Sequence, residues 1–220
     1  MQEEVTERDG VRRNQDGLVR IIERQNLSDE RIVEAFGRIA REDFVPGAAR
    51  DHAYRDRPVS IPEGQTTSQP SLIARMLDAV AVCAGGRALE IGTGYGFQTA
   101  LLAQLAGEVV SVERWPGLAE SARANLLEAG VSNVEIHTGD GTKGWPDRAP
   151  YDAIVVSATA RVVPGALVEQ LTEGGRLVIP LLDQAGENVV LFAARAGILR
   201  RLRVVTPARF VPLVPGVLGS

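Results

Sequence analysis

From Arg87 onward the chain predicts a doubly wound α/β domain: a mostly parallel seven-stranded sheet with helices on both faces, preceded by a helical addition. Three observations carry that expectation. Short apolar runs alternate with amphipathic stretches, a glycine-rich turn follows the first run, and after Leu181 the rhythm becomes strand, turn, strand. Alternation implies right-handed crossovers between parallel strands. Two closing strands joined by a tight turn can only add antiparallel, so the sheet is mixed at one edge.

Of 220 residues, 45% are apolar and 24% charged. That much apolar surface can offset the conformational entropy of folding, which excludes global disorder. Twenty-four basic against 28 acidic residues leave a net charge of −4, with no general footprint for nucleic acid. Cys83, the single cysteine, can form no intramolecular disulfide and offers no thiolate cluster for zinc. These absences predict a reducing, cytoplasmic, metal-free protein. Met1–Arg13 carries Glu3, Glu4 and Glu7 without an apolar run, unlike a secretory signal. No stretch approaches the ~18 apolar residues of a membrane span.

The elements follow in order. Residues 11–24 set Leu18, Val19, Ile21 and Ile22 among charged neighbours, a helical pattern. Ser28 is placed to cap a second helix, Asp29 to Arg41, with Ile32, Phe36 and Ile39 on one face. Pro46, Pro58 and Pro62 punctuate residues 43–64 and predict an extended, irregular segment. Pro70 opens a helix whose apolar face includes Leu72, Ile73, Met76, Leu77 and Val80. Strand runs then fall at Ala88–Ile91, Val109–Val112, Val134–Ile136, Ala153–Val156 and Leu177–Leu181. Helical stretches Phe97–Leu105, Gly117–Leu127 and Pro164–Leu171 separate them, and Val189–Ala194 and Leu199–Val205 supply the antiparallel edge.

The strongest local signal is Glu90-Ile91-Gly92-Thr93-Gly94-Tyr95-Gly96-Phe97, leaving the first strand and entering a helix. In that context a glycine turn lets a ligand approach backbone. A dinucleotide fingerprint needs a small residue where Phe97 stands, and Glu90 would set a carboxylate near any pyrophosphate. A carboxylate there suits a ligand with an ammonium group. Glu113 ends the second strand 21 residues beyond Gly92, where an acid can accept from both ribose hydroxyls. Asp140, between Gly139 and Gly141 after the third strand, can accept from an adenine amino group. Taken singly, Glu113 also reads as a solvated strand end and Asp140 as a turn residue. Together with Glu90 and the glycines they describe S-adenosylmethionine, and hence methyl transfer.

The acceptor must be sought between the early helices, in Gln65-Thr66-Thr67-Ser68-Gln69-Pro70. With Pro70 at the first helical position, Ser68 and Gln69 lie where unpaired N–H groups and the helix dipole attract a carboxylate. A plain Ser68 or Thr67 helix cap is the simpler reading of this window by itself.

That run, together with Leu89–Gly96, closely resembles protein-L-isoaspartate O-methyltransferases. The likeness continues through Ser111–Arg114, Gly139–Gly141, Ala149–Ile154 and Leu171–Leu177, and ends at Arg209-Phe210-Val211-Pro212-Leu213. Upstream, Arg41–Pro46 and Ala53–Asp56 are similar to the family as well. The glycine motif is common to many methyltransferases, whereas Thr-Thr-Ser-Gln-Pro and Phe-Val-Pro-Leu are far more specific.

The resemblance implies a Rossmann-like, single methyltransferase domain, with helices and a substrate- and cofactor-covering segment in 1–82 and the core in 83–220. It implies methyl transfer from S-adenosylmethionine to the free α-carboxyl of isoaspartyl residues in damaged proteins and peptides, with S-adenosylhomocysteine as by-product. The methyl ester then cyclises to a succinimide without the enzyme. The active-site serine falls on Ser68. Cofactor contacts fall on Thr66, Thr67, Glu90, Gly92, Thr93, Gly94, Tyr95, Gly96, Glu113, Arg114, Asp140 and Gly141, and a substrate-clamping strand on Phe210, Val211, Pro212 and Leu213. Partners are isoaspartyl peptides and proteins, with no nucleic acid, membrane or metal, and the expected working unit is a monomer. A carboxylate is already ionised at neutral pH, so the chemistry requires no catalytic histidine.

The alternative is a divergent relative that methylates aspartyl carboxylates of one dedicated peptide or protein. Nucleotide-dependent oxidoreduction is disfavoured by Glu90 and Phe97, loss of activity by intact Glu90, Glu113, Asp140 and Ser68, and an RNA substrate by the net charge. Tyr95 stands where the family usually has serine, and Ser157-Ala158-Thr159-Ala160-Arg161 replaces its usual turn after the fourth strand. His52 and His137 are isolated, Cys83 is expected to pack rather than react, and Trp145 and Tyr151 read as aromatic packing. Asp56 either orders the irregular segment or is a surface turn carboxylate.

Overall fold

The computed structural model describes residues 14–184 and 186–218; Met1–Arg13, and with it the start of the predicted 11–24 helix, lies outside the described residues. The described chain opens with α1 (14–23) and α2 (Glu30–Arg38). Asp29, not Ser28, caps α2, its Oδ1 accepting from the Arg31 N–H at 3.0 Å. Ser28 instead donates its backbone N–H to Asp78, at 2.7 Å. The helix stops before Arg41 because Ile39 turns extended, and Arg41–Phe44 forms a separate 3₁₀ turn.

Residues predicted as irregular contain a hairpin, β1 (Val59–Ile61) against β2 (Gln65–Thr67). Glu63 and Gly64 both take positive φ between the strands, the conformation that matches a tight turn to strand twist. What holds this segment is Arg41, whose side chain is wholly buried. Its guanidinium donates to the carbonyls of Ala53 (2.6 Å), Arg55 (3.0 Å), Arg57 (3.1 Å) and Ser68 (3.0 Å). Burial pulls its pKa down to about 10, against a raising effect from Asp56, so it stays charged at neutral pH.

α3 (Pro70–Val80) starts at the proline, as predicted, yet Gln69 at the cap position makes no capping bond from its own side chain. Asp56 supplies the cap from outside the helix, accepting from the Ser71 N–H at 2.9 Å and the Gln69 amide at 3.0 Å. The N–H groups of Leu72 and Ile73 both turn to the Gln69 carbonyl. Asp56 therefore orders the segment over the site.

Strands β3 (Arg87–Ile91), β4 (Glu108–Glu113), β5 (Val134–Thr138) and β6 (Tyr151–Val156) are parallel. β7 (Leu171–Asp183) joins them parallel to β6, while β8 (Gly186–Arg195) and β9 (Ile198–Pro207) add antiparallel. The sheet order is β5-β4-β3-β6-β7-β8-β9. Helices α4 (Phe97–Leu105), α5 (Pro116–Glu128) and α6 (Gly165–Glu169) make the crossovers. α6 is shorter than the predicted Pro164–Leu171 because Leu171 already pairs with Tyr151 as the start of β7.

Successive residues of the central strands feed opposite faces, as a pleated strand requires. Ala88, Val109, Ala153 and Val155 join the cluster that includes Leu18, Phe36, Phe44 and Met76. Leu89, Val110, Ile154 and Val156 join the other, with Tyr151, Leu167 and Phe192. Phe97 ties the helical addition to the core, with ring centroids 5.8 Å from Phe36 and 6.0 Å from Phe44. That packing explains a large residue where a dinucleotide fold keeps a small one.

Arg41→Met should lower unfolding free energy by about 2–4 kcal/mol, since several carbonyls lose one charged donor. Hydrogen exchange should accelerate across 53–68 more than across β3 and β4. Uniform acceleration would contradict the role given to Arg41.

Candidate active site

Connections leave β3 toward β4 on one side, and β6 lies on the other, so the sheet order reverses between β3 and β6. Ligands of open α/β sheets bind outside the strand ends at that reversal. A cavity of about 350 Å³ lies there. Its wall takes in Thr66, Thr67 and Ser68 after β2, Gly92–Tyr95 after β3, and Glu113 and Arg114 at the end of β4. Gly141, Ser157 and Val211–Leu213 close the circuit. Most of the residues singled out in the sequence thus meet, although they are spread from position 66 to position 213.

Gly92, Gly94 and Gly96 all have positive φ, which is why the loop is built of glycine. Glu113 pins it. Its carboxylate is buried and accepts from the Gly94 N–H at 2.9 Å and the Trp115 N–H at 3.1 Å. Burial raises its pKa, with those backbone donors working against the rise. At Gly141 a Cβ would come within 2.4 Å of Ile91 Cγ2, so only glycine fits between that side chain and the cavity.

Four predicted site residues do not line the cavity. Glu90 is fully buried behind the glycine loop, where Thr99 Oγ1 (2.5 Å), Ser111 Oγ (2.6 Å) and Gln98 Nε2 (2.9 Å) donate to it. Of these direct partners only Gln98 lines the cavity, because strand alternation turns the Glu90 side chain inward. Gly96 is shielded by Ala122, Leu126 and Phe44. Asp140 caps its own 3₁₀ turn, accepting from Thr142 N–H (3.0 Å) and Thr142 Oγ1 (2.6 Å). Burial would raise its pKa, but these donors outweigh it and hold the group low. Phe210 packs on the main apolar cluster, and its N–H donates to Glu187 at 2.6 Å.

The expected clamping strand at 210–213 is an irregular segment with a single bridge at Pro212, fastened by Thr159, whose N–H donates to Val211 O and whose carbonyl accepts from Leu213 N–H, both at 2.8 Å. The Val211 carbonyl is therefore used within the chain. The expected free N–H groups at the start of α3 are likewise occupied, by Asp56 and the Gln69 carbonyl. Ser68 caps nothing: it lines the cavity, and its carbonyl rests on Arg41.

Sequence reasoning missed Arg41, Gln98, Trp115 and Leu118. The last three line the cavity, and nothing in their local pattern separates Gln98 and Leu118 from ordinary helix residues or Trp115 from an ordinary residue before a helix. His137 stacks on Trp145 at 3.9 Å, and the Tyr151 hydroxyl donates to the Trp145 carbonyl at 2.6 Å, so these aromatics brace one another outside the cavity. Cys83 is exposed rather than packed, because the chain turns outward after α3. Among the described residues no three His, Cys, Asp or Glu side chains gather to hold a metal, and no helix is long and apolar enough to cross a membrane.

The family model for protein-L-isoaspartate(D-aspartate) O-methyltransferase matches residues 12–217. The chain belongs to that family. A protein-L-isoaspartate O-methyltransferase of Methanoculleus marisnigri is 44% identical over 209 residues, covering 94% of each chain. One from Anaeromyxobacter dehalogenans is 47% identical over 189 residues, covering 85% of this chain and 90% of its own. A solved protein-L-isoaspartate O-methyltransferase superposes with a TM-score of 0.83 at 31% identity, covering 92% of this chain and 67% of that one. A Plasmodium falciparum protein solved with S-adenosyl-L-homocysteine has a TM-score of 0.77 at 24% identity, covering 90% of this chain and 97% of that one, a likeness of fold. The glycine loop, Glu113, Ser68 and Val211–Leu213 all line this one cavity.

One pH dependence follows from Glu90. Burial lifts its pKa to about 7 from 4.5, against the lowering effect of Ser111, Thr99 and Gln98, and Glu113 adds to the rise. Between those values the folded chain holds a proton that the unfolded chain releases, so Glu90's contribution to stability falls as pH rises through that window. Glu90→Gln should flatten the decline in melting temperature between about pH 5 and about pH 8, with ~2–4 °C for each kcal/mol removed. Parallel curves for the two proteins would refute it.

Proposed function

We infer that this chain transfers a methyl group from S-adenosylmethionine to the free α-carboxyl of isoaspartyl residues in peptides and proteins. The observation that carries the reading is the meeting, in one cavity, of Glu113 and the glycine loop with Ser68 and the Val211–Leu213 segment. Identities of 44% and 47% to relatives bearing that activity in their names support it. The working protein is read as a cytoplasmic monomer of one domain.

S-adenosylmethionine supplies a methyl group already activated on a sulfonium. The acceptor oxygen attacks that carbon as the carbon–sulfur bond breaks, giving a methyl ester and S-adenosylhomocysteine, with no proton to move. The chain's own task is placement, and orientation of this kind can contribute ~7–11 kcal/mol. Glu113 takes the ribose hydroxyls, and the glycine loop admits the ligand to backbone contact. Gly141, Trp115 and Leu118 border the base on the β4 side. Asp140 acts here by shaping the Gly141 turn. The Ser68 hydroxyl orients the acceptor carboxylate by donating to it, while Val211–Leu213 form the wall along which the peptide lies. Arg41, immediately behind the Ser68 carbonyl, places a buried positive charge under the acceptor end.

Base-labile methyl incorporation into an isoaspartyl peptide, with its aspartyl isomer as control, tests the reading. Activity should be confined to the isoaspartyl form. Equal labelling of both, or of neither, would remove it. Ser68→Ala should keep S-adenosylhomocysteine affinity within about twofold and lower turnover by about 100-fold, the scale of one lost oriented donor. Unchanged turnover would end the role given to Ser68.

A further inference from the structure

Gln98, the second residue of α4, holds a buried polar atom without a partner. The residue is 7% exposed and lines the cavity, yet Oε1 accepts no hydrogen bond. The amide nitrogen is used twice, donating to Glu90 Oε1 at 2.9 Å and to Ser157 Oγ at 2.8 Å. Glu90 receives the hydroxyls of Thr99 and Ser111 on its other oxygen, so it presents Oε1 as an acceptor and turns the amide nitrogen toward itself. Gln98 Oε1 is thereby left for something else. An unmatched buried carbonyl is costly to keep, and the cavity is where a donor can arrive.

Position narrows the donor. Ser157 follows β6 and Glu113 ends β4, on opposite sides of β3 and its glycine loop. A nucleoside held by its ribose at Glu113 extends its 5′ substituent across the loop toward Gln98 and Ser157. In S-adenosylmethionine that substituent is an amino acid, and its one hydrogen-bond donor is the α-ammonium; the carboxylate and sulfonium accept or carry charge only.

Resting on the methyl-donor reading above, we propose that Gln98 is a cofactor-binding residue whose Oε1 accepts from the α-ammonium of S-adenosylmethionine. Glu90 and Ser157 hold the amide in the orientation this requires. Glu90 thus favours an ammonium without touching it, through the dipole of the amide it anchors.

The test compares two probes on the full chain by calorimetry: S-adenosylhomocysteine, and 5′-methylthioadenosine, which keeps the adenosine and thioether and lacks the amino acid. Gln98→Met should weaken S-adenosylhomocysteine about tenfold or more, ~1.4 kcal/mol, and leave methylthioadenosine within about twofold. Equal losses on both probes would assign Gln98 a structural role and overturn the proposal. Unchanged S-adenosylhomocysteine affinity with a raised KM for the isoaspartyl peptide would place Gln98 against the acceptor instead, and overturn it as well. If the variant fails to fold, the unmodified protein decides: the deaminated analogue of S-adenosylhomocysteine should bind at least about tenfold more weakly, and equal affinity sinks the assignment. A wild-type chain that binds neither probe would remove the methyl-donor reading itself, a result distinct from failure at Gln98.

Discussion

Arg41 donates to four carbonyls drawn from three places in the covering segment, Ala53, Arg55–Arg57 and Ser68, with no carboxylate in direct contact. A planar guanidinium is suited to this because its donors fan outward in fixed directions and remain charged when buried. Each carbonyl would otherwise be a desolvated acceptor, so the segment can pass over the core without orphaned backbone. The same cation lies 5.5 Å from the Phe97 ring centroid, and Phe97 opens the helix that the glycine loop enters. One side chain therefore registers the acceptor end of the cavity against the donor end.

Asp56 completes that arrangement from the other side. By capping α3 from outside, it frees Ser68 from the capping role that its position invites. The electrostatics also change. An acidic chain that must attract a carboxylate does not do so with the first N–H groups of α3, which are occupied. Arg41 instead sets a buried positive charge against the Ser68 carbonyl, and the sulfonium adds its charge when the methyl donor is bound.

Glu90 stands in the motif as expected but behind the wall of the cavity. The acid before the glycine loop does favour a ligand with an ammonium group under the assignment made here, but it works from behind the wall. Strand pleating sends Glu90 into the layer that holds Thr99 and Ser111, and of its direct partners only Gln98, the second residue of the following helix, reaches back to the cavity. Asp140 is the converse case, a residue of the expected chemistry whose hydrogen bonds go to Thr142 in its own turn.

Local pattern determined a great deal. The spacing of apolar runs placed seven strands, Pro70 marked the start of its helix, and the glycine loop and Glu113 were legible because backbone conformation and strand ends leave local marks. Tight-turn chemistry at Glu63-Gly64 was also local, but three prolines masked it. Tertiary structure alone decided which side chains face the cavity and which stand behind it. Asp56 meets Ser71 across 15 positions, Arg41 meets Ser68 across 27, and Gln98 meets Ser157 across 59. Contacts at such separations depend on how the elements pack, and a side chain's direction within a packed layer follows from its neighbours rather than from the residues beside it in the chain.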